Sequence, residues 1–243
     1  MADILTVVRK ELREILIQGD PRGRSKIGLL ILFFVFGIVI PAQNGREWVT
    51  SPISIMVWGW MPFLWVSGIV ADSFAGERER HTLEALLATR LSDHAILFGK
   101  LIAAILYGLL LTWTILLISL VTVNVVARGH GLLFFSPPIL GGAAAFSLLV
   151  SGLAASLGVL VSLRAGSVRQ AQQLMSAGML LIFVPVMLIQ FVPRTWLESA
   201  AGVVSQIAPS QAAMAVGLVL LAVDATLTLI AMRLFRRSRL ILD

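Results

Sequence analysis

Residues 97–127 read LFGKLIAAILYGLLLTWTILLISLVTVNVVA, an unbroken apolar stretch with a single charged side chain, Lys100. The hydrocarbon core of a bilayer needs roughly 20 apolar residues in a helix, and this run exceeds that length. A soluble core helix of the same length would show a polar face. Five further runs flank it, at 27–42, 52–71, 139–163, 174–192 and 212–234. The pattern predicts an all-α integral membrane protein of six transmembrane helices. Pro41 and Pro193 are placed to end helices, and Pro185 predicts a kink inside the fifth run.

Composition agrees. Of 243 residues, 58% are hydrophobic and 13% charged, with a mean hydropathy of +0.94; soluble domains carry about 25% charged residues. These values exclude a disordered chain, a nucleic-acid-binding module and an ordinary cytosolic enzyme. The pI near 11 comes from basic residues lying between apolar runs, not from a solvated basic face. With no cysteine, there is neither a disulfide framework nor a thiolate metal site.

Six crossings divide the 19 Lys and Arg residues 16 to 3 between the two sides. The richer side holds the N-terminal segment through Lys26, the second-to-third connection, the stretch after the fourth run, and Arg233 to Arg239. Short basic loops stay inside, so both termini are expected in the cytoplasm and the chain in the cell (inner) membrane. The first run is expected to be retained and not cleaved as a signal peptide, because its removal would spoil this asymmetry. The chain reads as one domain over 1–243: a cytoplasmic amphipathic helix and turn over 1–26, then a six-span bundle over 27–243.

In Ala2 to Gln18, the residues Ile4, Leu5, Val8, Leu12, Ile15 and Leu16 share one helical face, opposite Arg9, Lys10, Arg13 and Glu14. Such a helix lies flat in the headgroup layer, either as an orientation anchor or as a lever on the first span. Asp20-Pro21-Arg22-Gly23 would turn the chain into the membrane. Residues 75–100, AGERERHTLEALLATRLSDHAILFGK, are too polar to cross and too long for a minimal hairpin. Leu83, Leu86, Leu87 and Leu91 form an apolar face. Glu77, Arg78, Glu79, Arg80 and Glu84 crowd its beginning, where acids suit a helix N-terminus, and Ser92-Asp93 can cap the next helix. Two readings fit: a rigid cytoplasmic knob that receives force from a soluble partner, or leucines dipping into lipid.

Glu77-Arg78-Glu79, Thr82-Leu83-Glu84-Ala85-Leu86-Leu87, Leu91-Ser92 and Gly99-Lys100 together resemble the ABC-2 type transporter permease family. The usual pattern there is an acidic pair, Gly-Thr-Leu-Glu, paired leucines, a Pro-hydrophobic-Ser turn and a Gly-Lys opening the third span. His81 stands in place of the glycine and Arg90 in place of the proline. The resemblance implies a permease that pairs with a second permease chain, taken as an identical copy, and sits on two ATP-binding cassette subunits. Glu77 to Leu91 would then be the coupling helix. Glu77, Glu79, Glu84 and Arg80 would meet charges on the ATPase; Leu83, Leu86 and Leu87 would supply the apolar anchor, with Arg78, Thr82 and Leu91 in the same segment. The family also implies a re-entrant hairpin in the outer segment Thr195 to Ser210.

Catalytic chemistry is not expected. A P-loop needs Gly-x-x-x-x-Gly-Lys-Ser/Thr; Gly99-Lys100 is followed by Leu101 and preceded five positions earlier by His94. No cofactor or metal is expected in this chain, and ATP with Mg belongs to the partner. His81, His94 and His130 lack metal-ligand spacing, and no nucleic-acid partner is expected. Within the spans, Asp224 is costly at mid-membrane and is either a relay group or a hydrogen-bonded structural one. Asn124 is expected to bond a facing helix. Trp58 and Trp65 either line an apolar pathway or form a lipid-facing belt. Gly141, Gly142, Ala145, Ser151, Gly152, Ala155, Ser156 and Gly158 predict close packing of the fourth span. The function implied is a permease driven by separate ATPases and exporting an apolar or amphipathic substrate. The alternatives are a gradient-driven carrier or channel, which would need several intramembrane ionisable groups, and a non-transporting membrane scaffold.

Overall fold

The computed structural model describes residues 2–17, 24–51, 53–82, 88–127, 131–188 and 208–235, and among these every regular element is helical. Helix α1 (Ala2–Ile17) precedes α2 (Arg24–Phe34), a π turn (Val35–Val39) and α3 (Ile40–Asn44), which run end to end. Then come α4 (Glu47–Thr50), α5 (Ile53–Glu79), α6 (Asp93–Val126), α7 (Pro137–Arg164), α8 (Val168–Leu188) and α9 (Pro209–Leu234). Among the described residues four stretches are long and apolar enough to cross a membrane: Ile27–Asn44, Asp93–Val126, Pro137–Arg164 and Ser210–Leu234. The other two apolar runs fall on α5 and α8. The Asp20 to Gly23 turn, His130, most of the Thr195 to Ser210 segment and the arginines after Phe235 lie outside the described residues.

Pro41 does not stop its helix. Lacking an N–H, it cannot bond the carbonyl of Gly37, and the helix absorbs the defect with the π turn just before it, where Ile40 donates to the Val35 carbonyl. The freed Gly37 carbonyl accepts from the Thr122 hydroxyl of α6 at 2.8 Å. A side chain at Gly37 would collide with Ile118, so glycine is what lets the two helices come close enough for that bond. Helix α8 likewise runs through Pro185.

The centre of the bundle is α5 against α7. Ser151, Gly152, Ala154, Ala155, Ser156 and Gly158 are all buried, and a Cβ at Gly158 would lie 2.8 Å from Val70. The small-residue stripe of the fourth run thus packs within the chain, whereas Gly141 and Ala145, at its start, are exposed. Lipid supplies no hydrophobic drive between helices, so this contact rests on van der Waals packing and on polar bridges. One bridge is Ser162, whose hydroxyl donates to the Ala71 carbonyl at 3.0 Å and accepts from the Ala75 N–H at 2.9 Å.

The outer faces match a bilayer. On α6, Leu106, Leu110, Leu117, Val121 and Val125 form an exposed stripe, and most of α9, including Leu218, Val219 and Leu229, is exposed. In water so much apolar surface would aggregate; a helix can present it to lipid because its backbone bonds are internal. The chain is a multi-pass membrane protein.

Candidate functional site

The charged segment expected to open a separate helix instead closes α5, which continues through Glu79. A helix C-terminus is the wrong end for carboxylates, so Glu77 and Glu79 need compensation from elsewhere. They find it on other elements.

Glu77 turns inward. Its Oε1 accepts from Lys100 Nζ at 2.9 Å, and the same ammonium donates to Glu11 Oε1 at 3.0 Å and to the Ser73 carbonyl at 3.2 Å. Lys100 is 3% exposed. An ammonium has three protons, and all three are used. The centre joins α1, α5 and α6, with the Phe74 ring 5.3 Å from the cation. Burial pushes the Glu77 carboxyl above its ordinary 4.5, and Lys100 works against that shift. Its second oxygen is buried without a partner among the described residues.

Arg78 points the other way. Its guanidinium donates to the carbonyls of Ala165 at 2.7 Å and Leu163 at 3.0 Å. These are free carbonyls at the end of α7, where positive charge suits the helix dipole. Glu79 accepts from the Val168 N–H at 3.0 Å, an orphan donor at the start of α8. Three consecutive side chains thus grip α1 with α6, then α7, then α8. Arg80 returns along α5 to Asp72 at 3.3 Å.

The chain leaves α5 through a Schellman turn. Thr82 N donates to the Glu77 carbonyl at 2.9 Å and His81 N to the Arg78 carbonyl at 3.1 Å, the paired bonds of that motif. His81 holds the left-handed position with φ +54°, which favours glycine. That is where the family pattern has glycine, so the turn geometry persists despite the substitution. Leu83, Glu84, Leu86 and Leu87 lie outside the described residues. Beyond them Arg90 is exposed, Leu91 packs on the core, and Ser92 Oγ caps α6 by accepting from Ala95 N at 3.2 Å.

Helix α1 departs from the expected face. Val7, Val8 and Glu11 are buried against α6, where a side chain at Gly99 would clash with Val7, while Leu5 (68%) and Leu16 (62%) stay exposed. Helix α1 therefore has two apolar sides, one packed on protein and one exposed.

Trp58 (1% exposed) and Trp65 (8%) are interior side chains, which does not fit a lipid-facing belt. Trp58 meets Trp48 edge-on at 5.7 Å, and Trp65 faces Phe33 at 6.3 Å. Asn124 bonds a loop, not a facing helix: it donates to the Leu133 carbonyl at 2.9 Å and accepts from the Leu133 N–H at 2.8 Å. Asp224 accepts from Ser156 Oγ at 2.6 Å, and that hydroxyl also meets Thr228 at 2.9 Å. A Cβ at Gly152 would collide with the Asp224 carboxylate, so glycine admits it to α7 in the structural arrangement.

Sequence reading missed Glu11 and Lys100 as partners of Glu77. The signal was there: a lone cation at the head of an apolar run needs a counter-charge, and Glu11 is an acid on an otherwise apolar helical edge.

Residues 42–232 match the family described as ABC-2 family transporter protein. Over 146 residues, 55% of this chain, the sequence is 32% identical to the ABC transporter permease protein NatB of Bacillus subtilis (strain 168). The aligned part spans 36% of that relative's length. With a match over most of its length, and with the family's charged segment and glycine-type turn in place, the chain belongs to the ABC-2 family of transporter proteins.

Proposed function

We propose that this chain is the permease subunit of an ABC transporter. Two identical copies, each crossing the cell membrane six times with both termini in the cytoplasm, form the pathway. Separate ATP-binding cassette subunits, which bind the ATP and Mg, drive them. The cargo is an apolar or amphipathic molecule moved outward. The observation that carries the reading is the grip of Glu77, Arg78 and Glu79 on three sets of helices immediately before the 83–91 elbow. A force applied to that elbow reaches α1 and α6 through Lys100, α7 through Arg78 and α8 through Glu79. In this mechanism Leu83, Glu84, Leu86 and Leu87 meet the ATPase, while Glu77 acts inside the permease. Closure of the ATPases pushes the elbows together and repacks the helices, provided the two arrangements differ in their contacts with the motor.

The double variant Glu84→Ala/Leu87→Ala tests this. Membrane insertion is expected to be unchanged and co-purification of the ATPase to fall. Wild-type stoichiometry in the double variant would overturn the reading. Transport by the purified chain in liposomes without nucleotide would replace it with a gradient-driven carrier.

A further inference from the structure

Beside the Lys100 centre lies a cavity of about 840 Å³ between α1, α2, α5, α6 and α8, within the roughly 300–1,000 Å³ typical of small-molecule sites. Its walls change character along α5. At one end stand four carboxylates, Glu11, Glu14, Asp72 and Glu77, against Arg80 and Lys100, with Lys10 beside them at 3.5 Å from Glu14 and 3.7 Å from Glu11, which leaves one carboxylate in excess. At the other are Leu64, Trp65 and, from α2, Leu29 and Leu32. Trp65 and Glu77 are twelve residues apart, about 18 Å at the helical rise of ~1.5 Å per residue.

The polar end has acceptors to spare and few donors. Lys100 spends every proton on Glu11, Glu77 and Ser73, and Arg80 is engaged by Asp72. The second oxygen of Glu77 is buried and unpartnered among the described residues. An anion would meet surplus carboxylate, whereas a positive group would find a net acidic end and, on its way, the Trp65 and Tyr107 rings, whose faces attract cations. Two wall residues, Gly28 and Gly68, face open space: a Cβ at either meets nothing within 4 Å. Glycine in a helix costs stability relative to alanine, and no neighbour demands one here.

We propose that this cavity is a binding site for a lipophilic organic cation, its charge among Glu11, Glu14, Asp72 and Glu77 and its apolar body along Leu64, Trp65 and Leu32. The ligand is a free cation or the amine of a lipid headgroup. Only its status as cargo rests on the permease reading; binding requires no ATPase.

The test uses the purified chain in uncharged detergent with radiolabelled tetraphenylphosphonium, and with tetraphenylborate as the same shape of opposite charge. Saturable binding of the phosphonium is expected, with tetraphenylborate at least about tenfold weaker, the factor that ~1.4 kcal/mol supplies. Gly68→Leu should abolish binding while thermal stability stays the same or rises, so loss by misfolding is distinguishable. Glu77→Gln should weaken the phosphonium several-fold and narrow its advantage over the borate. If added phosphatidylethanolamine competes, the natural ligand is the lipid amine; if it does not, a free cation. Equal binding by Gly68→Leu, equal affinity for the two probes, or no saturable binding would overturn the proposal. Any of these would leave ATPase association, read by Glu84→Ala/Leu87→Ala, untouched.

Discussion

Where α5 ends, Lys100, Glu11, Glu77, Arg78 and Glu79 join four other helices by charged hydrogen bonds. Where it begins, Trp48, Trp58, Phe135 and Ile139 form a buried cluster, and the indole N–H groups of Trp48 and Trp58 have no partner among the described residues. The contrast is one of mechanical character. A charged hydrogen bond is directional and breaks at a definite displacement, so the first end transmits movement from a few atoms. Aromatic packing is spread over area and slides more readily, so the second end can accommodate movement without a single point of failure.

Five substitutions probe this difference. The largest effect is expected from Lys100→Met, which leaves Glu11 and Glu77 facing each other with only the half-exposed Lys10, 3.7 Å from Glu11, as a counter-charge; breaking a buried pair costs about 3–5 kcal/mol. Thermal unfolding in detergent should register it, and the triple change with Glu11→Gln and Glu77→Gln should recover most of the loss. Glu77→Gln alone gives a pH signature. Burial raises the Glu77 pKa above 4.5, so its contribution to stability is full below that value and is lost as pH rises through the folded pKa. The stability of Glu77→Gln relative to wild type should therefore improve as pH rises above 4.5.

Arg78→Ala comes next, at about 1.5–3 kcal/mol for hydrogen bonds from a charged group. Proteolysis should reveal earlier opening of the α7–α8 junction. His81→Gly should act in the opposite direction, adding about 1 kcal/mol by relieving a left-handed residue that carries a side chain; a lowered melting temperature would mean the turn owes its shape to the imidazole. Trp58→Phe, at the aromatic end, should move stability by no more than about 1 kcal/mol, because the lost volume is offset by removal of an unsatisfied N–H. If Trp58→Phe proved costlier than Lys100→Met, the assigned characters of the two ends would be reversed.

Hydropathy located the apolar runs because lipid acts on each helix separately, and segment composition is enough to see that. The Ser92 cap was equally local. The Lys100 centre was not legible in the same way: Glu11 and Lys100 are 89 positions apart, and periodicity does not reach across helices. The Glu77-Arg78-Glu79 run looked like a docking surface because charges near an elbow ordinarily face water. Its inward use became visible only once the ends of α7 and α8, with their unsatisfied backbone groups, were placed beside it. Helix α1 misled for a related reason. One amphipathic arc was read toward lipid, whereas Val7 and Glu11, on its edge, make the protein contact.

The most direct test exploits the absence of cysteine. A single cysteine at the exposed Arg90, between α5 and α6, is labelled with a thiol-reactive photo-crosslinker in native membranes, with Leu132 beyond the far end of α6 as control. The account predicts that Arg90→Cys captures a subunit bearing a Walker motif and Leu132→Cys does not. Capture of lipid alone at Arg90, or of the same ATPase at both positions, would contradict it.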